Sequence, residues 1–214
     1  MATSSKNFYG RFGKRVMDLV ASAGGLVFLS PLFAIVAVCI KTDSRGPVFY
    51  PHVRVGKDGR PFRILKFRSM DAVASRLPAG ITVSGDKRVT RVGRFLRRYK
   101  IDELPQLWNV LLGDMSLVGP RPELPKYVAA YSPEQKLVLR VRPGITDPAS
   151  LRYRHEEEIL SCCEDPENVY RMQILPNKLA GNLAYIRNIS LGTDLRIIFK
   201  TVGRLFLFVE NSPQ

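Results

Sequence analysis

Residues 19–40 read LVASAGGLVFLSPLFAIVAVCI and contain no charged side chain. A helix of about 20 apolar residues is long enough to cross the ~30 Å hydrocarbon core of a bilayer. A secretory signal peptide is disfavoured, because this apolar run is too long for one and no clear small-residue cleavage site ends it. The segment therefore predicts a membrane helix near the start of the chain.

Two features indicate that this helix enters and leaves the membrane on the same side. Ser30 and Pro31 lie near its middle, where proline removes a backbone hydrogen bond and the serine hydroxyl can bond to a carbonyl one turn earlier. Basic residues flank both ends, so the positive-inside asymmetry of a spanning helix is missing. They are Arg11, Lys14 and Arg15 before the run and Lys41 and Arg45 after it. A re-entrant helix broken at Ser30-Pro31 is favoured over a kinked spanning helix.

The 214-residue chain is strongly basic. Lysine and arginine number 33 against 19 aspartates and glutamates, which gives a formal net charge of +14. This balance favours a polyanionic partner, either nucleic acid, anionic lipid or a phosphorylated substrate. Three cysteines and two histidines do not indicate a disulfide framework or a zinc site. Any bound cation is therefore expected to have oxygen ligands, as Mg²⁺ or Mn²⁺ does.

The pattern after residue 45 predicts one mixed body. Lys57-Asp58-Gly59 separates short β-rich runs at 53–55 and 62–67, and Asp-Gly is a strong β-hairpin signal. Asp102 and Gly113 bracket an amphipathic helix as its predicted N-cap and end. The apolar residues of this helix recur at helical spacing: Leu104, Leu107, Trp108, Leu111 and Leu112. Residues 195–209 mix apolar and basic side chains, so we expect that segment to lie flat on a membrane.

The predicted fold class is therefore α+β. We expect residues 1–45 to form a basic segment and a re-entrant membrane helix. Residues 46–214 are expected to form a compact, mostly helical cytoplasmic domain with a short β-hairpin and interfacial amphipathic helices.

Two adjacent carboxylates are the leading candidates for chemistry. One alternative for Asp102 is a helix cap, which is one of the commonest uses of aspartate. A helix N-terminus also favours an ionised carboxylate, the state that a nucleophile needs to attack phosphorus. The oxygens of Glu103 could hold a Mg²⁺ that bridges a diphosphate.

Several basic residues are candidates for phosphate binding. Arg121 lies between Pro120 and Pro122, which reduces the entropy of placing its guanidinium, although a surface arginine in a turn is the alternative. The remaining candidates could equally be solvated charges: Lys66, Arg68, Arg97, Arg98, Arg142, Arg152 and Arg154.

An ordered set of motifs resembles the bacterial sugar transferases, and more narrowly the small monotopic polyprenyl-phosphate phosphoglycosyl transferases. The resemblance covers about residues 9–205. Its motifs are Ser30-Pro31, Gly46-Pro47-Val48-Phe49, Arg54-Val55-Gly56, Lys66-Phe67-Arg68-Ser69-Met70, Asp102-Glu103-Leu104-Pro105-Gln106, Gly119-Pro120-Arg121-Pro122 and Arg142-Pro143-Gly144-Ile145-Thr146.

The resemblance implies a monotopic enzyme at the cytoplasmic face of a bacterial inner membrane. Such an enzyme moves a sugar 1-phosphate from a UDP-sugar to undecaprenyl phosphate and releases UMP. By the same resemblance, Asp102 is the nucleophile that forms a phosphosugar-aspartyl intermediate, and Glu103 binds Mg²⁺. Arg121 is then a phosphate contact. The other implied substrate-binding residues are Lys66, Arg68, Arg97 and Arg154.

The sequence departs from the family pattern in two places. His52 replaces a common glutamine, and residues 147–154 replace a segment that often continues with glycine and tryptophan. The second departure leaves the donor sugar open, and a homo-oligomer is also left open.

Two other functions compete with this interpretation. One is a membrane-anchored basic module that binds nucleic acid or anionic lipid without catalysis. The other is a hydrolase of nucleotide-sugars. Aromatic residues are sparse around the basic clusters, so no nucleic acid partner is expected.

Overall fold

The computed structural model describes residues 9–71, 85–149, 153 and 156–210, without the side chains of 11, 157, 158 and 204–210. Within these residues the chain mixes helix and sheet. The α-helices are α1 (Lys14–Asp43), α2 (Arg91–Arg98), α3 (Gln106–Leu112), α4 (Pro125–Val128), α5 (Glu156–Ser161), α6 (Pro166–Val169), α7 (Leu175–Arg187) and α8 (Leu191–Glu210). The strands are β1 (Phe49–Val55), β2 (Pro61–Phe67), β3 (Ser116–Val118) and β4 (Gly144–Thr146). Shorter helical turns include Tyr9–Gly13, Ile101–Glu103 and Tyr170–Ile174.

The apolar segment forms α1, a helix of 30 residues. Among the described residues it is the one helix long and apolar enough to cross a membrane, and most of its central surface is exposed. The Ser30 hydroxyl donates to the Val27 carbonyl at 2.8 Å, which is the bond expected beside Pro31. Because both residues lie inside α1, any bend at this point occurs without ending the helix. The re-entrant path stays a prediction.

The β-hairpin is confirmed. Strands β1 and β2 pair antiparallel from Phe49 opposite Phe67 to Val55 opposite Pro61. Strand β1 is longer than the sequence indicated and includes Pro51, which is tolerated because β1 is an edge strand. The turn between the strands uses Asp58 at φ 57° and Gly59 at φ 75°, the left-handed conformations that Asp-Gly supplies.

Helix α3 ends as predicted but does not begin as predicted. Gly113 closes it with a φ of 95°. Asp102 was expected to be the N-cap, and this is wrong: it lies inside the turn Ile101–Glu103, which follows Lys100 at φ 56°. The left-handed Lys100 redirects the chain after α2, and the tight turn then buries the Asp102 side chain.

Two of the large apolar side chains of α3 point away from the body. Trp108 and Leu112 are 49% and 63% exposed, whereas Gln106 and Asn109 are buried. The Asn109 side chain is bonded at both ends to β2: Nδ2 donates to the Arg63 carbonyl at 2.8 Å, and Oδ1 accepts from the Leu65 amide at 2.9 Å. The buried side of α3 also includes the fully buried Val110, so the helix packs both polar and apolar side chains against the body. The exposed Trp108 and Leu112 suit an apolar environment next to that side of the helix.

The same body holds both ends of α1. At the first end, the Arg15 guanidinium donates to the carbonyls of Val110 and Leu111 at 2.6 and 3.0 Å. Near the other end, the Arg68 guanidinium donates to the Ile40 and Ser44 carbonyls at 3.3 and 2.7 Å. Helix α1 is therefore fixed to the body before and after its apolar run.

A buried acid joins α1 to α8. Asp194 is fully buried, and its carboxylate accepts from Tyr9 at 2.7 Å, from Tyr185 at 2.6 Å and from Lys14 at 2.5 Å. Helix α8 also exposes apolar side chains, among them Phe199 at 71%. Flat contact of α8 with a membrane stays a prediction.

A second, parallel sheet pairs β3 with β4 and was not predicted. The loops beside these strands approach so closely that a Cβ on Gly144 would lie 2.1 Å from the Gly119 amide nitrogen. Only glycine fits at this crossing. The contact therefore fixes the start of the Gly119-Pro120-Arg121-Pro122 loop against the Pro143-Gly144 turn.

Candidate active site

Four charged side chains from three segments meet in one buried cluster. The turn after α2 supplies Asp102 and Glu103, β2 supplies Lys66, and the loop after β3 supplies Arg121. Oε1 of Glu103 accepts from Lys66 Nζ and from Arg121 Nη2, each at 2.6 Å. Oε2 accepts from Arg121 Nη1 at 3.3 Å. Glu103 is thus bound by two cations, one of them through a two-point guanidinium contact.

Asp102 has the opposite environment. It is 6% exposed, and within the described residues its Oδ1 has no hydrogen-bond partner. Buried polar atoms in proteins are nearly always paired, so an unpaired carboxylate oxygen beside two bound cations is a candidate contact point for a ligand. Oδ1 has free lone pairs for a metal ion or for attack on an electrophile.

The two carboxylates also differ in their pKa values. Burial alone would raise the pKa of Glu103, but the charges of Arg121 and Lys66 hold it well below its usual range. Burial raises the pKa of Asp102, and Lys66 opposes this only in part. We expected the start of a helix to keep Asp102 ionised by lowering its pKa. That expectation is wrong, because desolvation outweighs the favourable charges.

In the described part of the chain, the site offers only one or two protein oxygens as ligands for a Mg²⁺ ion. The described residues contain no cluster of three or more Asp, Glu, His or Cys side chains that could hold a metal. Mg²⁺ commonly takes one or two carboxylates and completes its shell with substrate phosphates and water. Asp102 Oδ1 could be one such ligand. Glu103 Oε2 accepts one bond, from Arg121 at 3.3 Å, and keeps a lone pair that could also bind the ion. The role of Glu103 as the metal ligand stays a prediction.

Residues 9–207 match the family described as bacterial sugar transferase. The chain belongs to this family. It is 39% identical to a UDP-glucose:undecaprenyl-phosphate glucose-1-phosphate transferase of Klebsiella pneumoniae, over 91% of this chain and 40% of that protein. It is 41% identical to a UDP-N-acetylgalactosamine-undecaprenyl-phosphate N-acetylgalactosaminephosphotransferase of Aeromonas hydrophila, over 89% of this chain and 43% of that protein.

A third relative is closer in size. A UDP-glucose:undecaprenyl-phosphate glucose-1-phosphate transferase of Caulobacter vibrioides is 40% identical over 93% of this chain and 71% of that protein. The chain thus spans about two fifths of the length of the first two relatives and most of the third. The names of the three relatives specify two different sugars.

The predicted site residues of this sugar transferase do not all meet. Lys66 and Arg121 contact Glu103, as described above. Arg97 lies on α2, and its charge acts on Asp102 in the direction that favours ionisation. Arg68 is instead buried against the end of α1, where its hydrogen bonds go to residues 40–45. Arg154 lies outside the described residues.

The sequence did not predict a second charged group beside the first. Oε1 of Glu123 accepts from the Tyr170 hydroxyl at 2.5 Å, and its Oε2 lies 3.9 Å from Arg54 Nη1. The backbone joins the same segments, because the Val55 amide donates to the Glu123 carbonyl at 3.0 Å. The sequence contained a signal for this group, because Arg54 is the first residue of the Arg54-Val55-Gly56 motif and Glu123 follows Arg121 by two residues. Its contact with Tyr170 was not visible from spacing.

His52 lies on the same hairpin face as Lys66 and Arg54. Burial, together with the charges of Arg54 and Lys66, lowers the pKa of His52 to about 4. Its imidazole is therefore neutral near pH 7. His52 thus provides an uncharged polar side chain at the position where the family commonly has glutamine.

Proposed function

We propose that this chain transfers a sugar 1-phosphate from a UDP-sugar to undecaprenyl phosphate, through a covalent phosphosugar intermediate on Asp102. The observation that carries the proposal is the unpaired, buried Oδ1 of Asp102 beside a Glu103 that holds two cations. The names of the relatives support the donor and acceptor classes.

In the first step, a lone pair of Asp102 Oδ1 attacks the phosphorus that carries the sugar. The bond from that phosphorus to the UMP oxygen breaks, and UMP leaves with the electron pair. In the second step, a phosphate oxygen of undecaprenyl phosphate attacks the same phosphorus. The bond to Asp102 breaks, which regenerates the carboxylate and leaves a lipid-diphosphate sugar.

The cations of the cluster have a role in both steps. Lys66 and Arg121 are held in place by Glu103, so their positive charge is already oriented when the anionic donor arrives. Such preorganised charge stabilises the additional negative charge on the phosphoryl oxygens and the leaving group. A bound Mg²⁺ would add neutralisation of the diphosphate.

The contacts of α1 support a monotopic arrangement. A straight helix of 30 residues is ~45 Å long, so a spanning helix would place its ends on opposite sides of a bilayer. One body contacts Arg15 and Asp18 at the first end and Ile40 at the other. We therefore propose that the whole body lies on the cytoplasmic face of the inner membrane, where it meets a soluble nucleotide-sugar and a lipid-borne acceptor.

The reaction is tested with purified protein in detergent, Mg²⁺, undecaprenyl phosphate and separate UDP-sugars. UMP release that requires the lipid acceptor supports the transferase, whereas equal release without acceptor indicates a hydrolase. Asp102→Asn is expected to abolish turnover and the mass increase of a sugar phosphate on the protein. Glu134→Gln, which removes an exposed carboxylate, is the matched control and should keep both. Full activity of Asp102→Asn would refute the nucleophile.

The arrangement in the membrane is tested by labelling single cysteines in a variant without Cys39, Cys162 and Cys163. Phe12→Cys and Lys41→Cys place the label at exposed positions near the two ends of the apolar run. Labelling of both from the cytoplasmic side supports the re-entrant path. Labelling from opposite sides would establish a spanning helix.

A further inference from the structure

Gln106 has a buried amide whose donors are unused. The residue is 1% exposed, and within the described residues its Nε2 has no hydrogen-bond partner. Four other buried polar atoms share this property: Arg68 Nε, Asp102 Oδ1, Tyr127 Oη and Asn182 Oδ1. The lack of a partner alone therefore does not make a site, and the position of Gln106 decides its meaning.

Gln106 lies beside the carboxylate pair. Gln106 is the first residue of α3, and it follows Glu103 by three residues and Asp102 by four, across the turn Ile101–Glu103 and the two right-handed residues Leu104 and Pro105. Side chains at these spacings are neighbours on one side of a helix, with Cβ atoms about 5–6 Å apart. Two buried atoms without a partner among the described residues, the donor Gln106 Nε2 and the acceptor Asp102 Oδ1, thus belong to side chains four residues apart in one continuous turn-and-helix segment.

Asn109, on the same helix, has a side-chain amide whose two polar atoms are both paired with the protein backbone. Its Nδ2 and Oδ1 are both bonded to the backbone of β2, at 2.8 and 2.9 Å. Glu103 also faces β2, through Lys66. Gln106 lies between Glu103 and Asn109 in sequence and is buried like them, yet its amide nitrogen has no acceptor in the described part of the chain. The missing acceptor is expected to come with the substrate.

We propose that the Gln106 amide donates a hydrogen bond to a non-bridging oxygen of the phosphoryl group during its transfer to and from Asp102. The inference rests on the proposed function. As the bond from Oδ1 to phosphorus forms, the bond from phosphorus to UMP breaks, and UMP keeps the electron pair. The non-bridging oxygens are then held within reach of residue 106, where a fixed N–H donor stabilises their charge.

The test compares Gln106→Met with the wild type. Methionine has a similar length and no N–H donor. We expect UMP release at saturating donor to fall about 100-fold, the size of effect seen on removing one such donor, while KM changes less than about threefold. The unfolding temperature is expected to stay equal or to rise, because an unpaired buried amide has been removed. Gln173→Met, at an exposed glutamine, is the matched control.

A second variant covers the case in which Gln106→Met does not fold. Gln106→Glu keeps the shape and presents an acceptor to the phosphoryl oxygens, so formation of the phosphosugar adduct should slow by more than in Gln106→Met. Adduct formation with donor alone is followed by intact mass. Activity within threefold of wild type in either folded variant would overturn the proposal. A wild type that forms no adduct rejects the proposed function instead.

Discussion

Two buried aspartates of this protein have opposite surroundings. Asp194, at the junction of α1 and α8, is bound by two tyrosine hydroxyls and a lysine. Asp102, in the site, keeps an oxygen without a partner in the described part of the chain. A buried acid that serves the fold is satisfied by the fold, whereas a buried acid that serves a reaction is left open for its substrate.

The comparison predicts opposite effects on stability. Asp194→Asn removes the charge that balances the largely buried Lys14, so we expect it to lower the free energy of unfolding by about 3–5 kcal/mol. Asp102→Asn removes a charge whose burial is only partly compensated, and should leave stability equal or higher. Denaturant unfolding of both variants in detergent measures the difference. Equal destabilisation by the two substitutions would refute the contrast.

Removing a single hydrogen bond to Asp194 tests the same contrast with a smaller expected effect. Tyr185→Phe removes one of the three donors to Asp194 and leaves the other two in place. A hydrogen bond to a charged group contributes about 1.5–3 kcal/mol, so the loss of unfolding free energy should fall in that range and below the loss in Asp194→Asn. UMP release at a temperature where the variant is folded should be unchanged. A loss of activity without a loss of stability would show that this cluster belongs to the site.

The raised pKa of Asp102 predicts the effect of pH on activity. A nucleophilic carboxylate must be ionised, and a raised pKa means that protonation begins at a higher pH than in ordinary aspartate. As pH falls through the raised pKa, kcat/KM should fall about tenfold per pH unit. The low pKa of Glu103 keeps that residue ionised over this range.

The measurement is the pH profile of UMP release for the wild type and for Glu134→Gln. Both should show the same acid limb, with a midpoint above the ordinary aspartate value of 3.8. A midpoint at or below 3.8 would contradict the desolvated environment of Asp102.

Local patterns predicted local features well. The Asp-Gly pair fixed the hairpin turn, and Gly113 marked the end of α3, because both depend on left-handed backbone conformations that few residues adopt. The helical spacing of Leu104 to Leu112 identified α3 but not the direction of its apolar face. Periodicity gives the angle between residues on a helix, and the surroundings decide which side is buried.

The long-range polar contacts were not predicted. Tyr9 and Asp194 are separated by 185 positions, and Tyr170 and Glu123 by 47. Arg68, interpreted from its motif as a substrate ligand, donates to the end of α1. A motif identifies which residues belong together in a family, but it does not distinguish a side chain that binds substrate from one that holds the framework.

The sequence by itself determined an apolar membrane segment, a hairpin, a basic body and the adjacent carboxylates with their proline-flanked arginine, because each is a property of neighbouring residues. Only the tertiary structure decided that Glu103 is bound by Lys66 and Arg121 while Asp102 and Gln106 keep unpaired atoms. Desolvation and hydrogen bonding depend on which distant segments pack around a group. The difference between the two carboxylates therefore arises only when β2 and the Arg121 loop close over the turn.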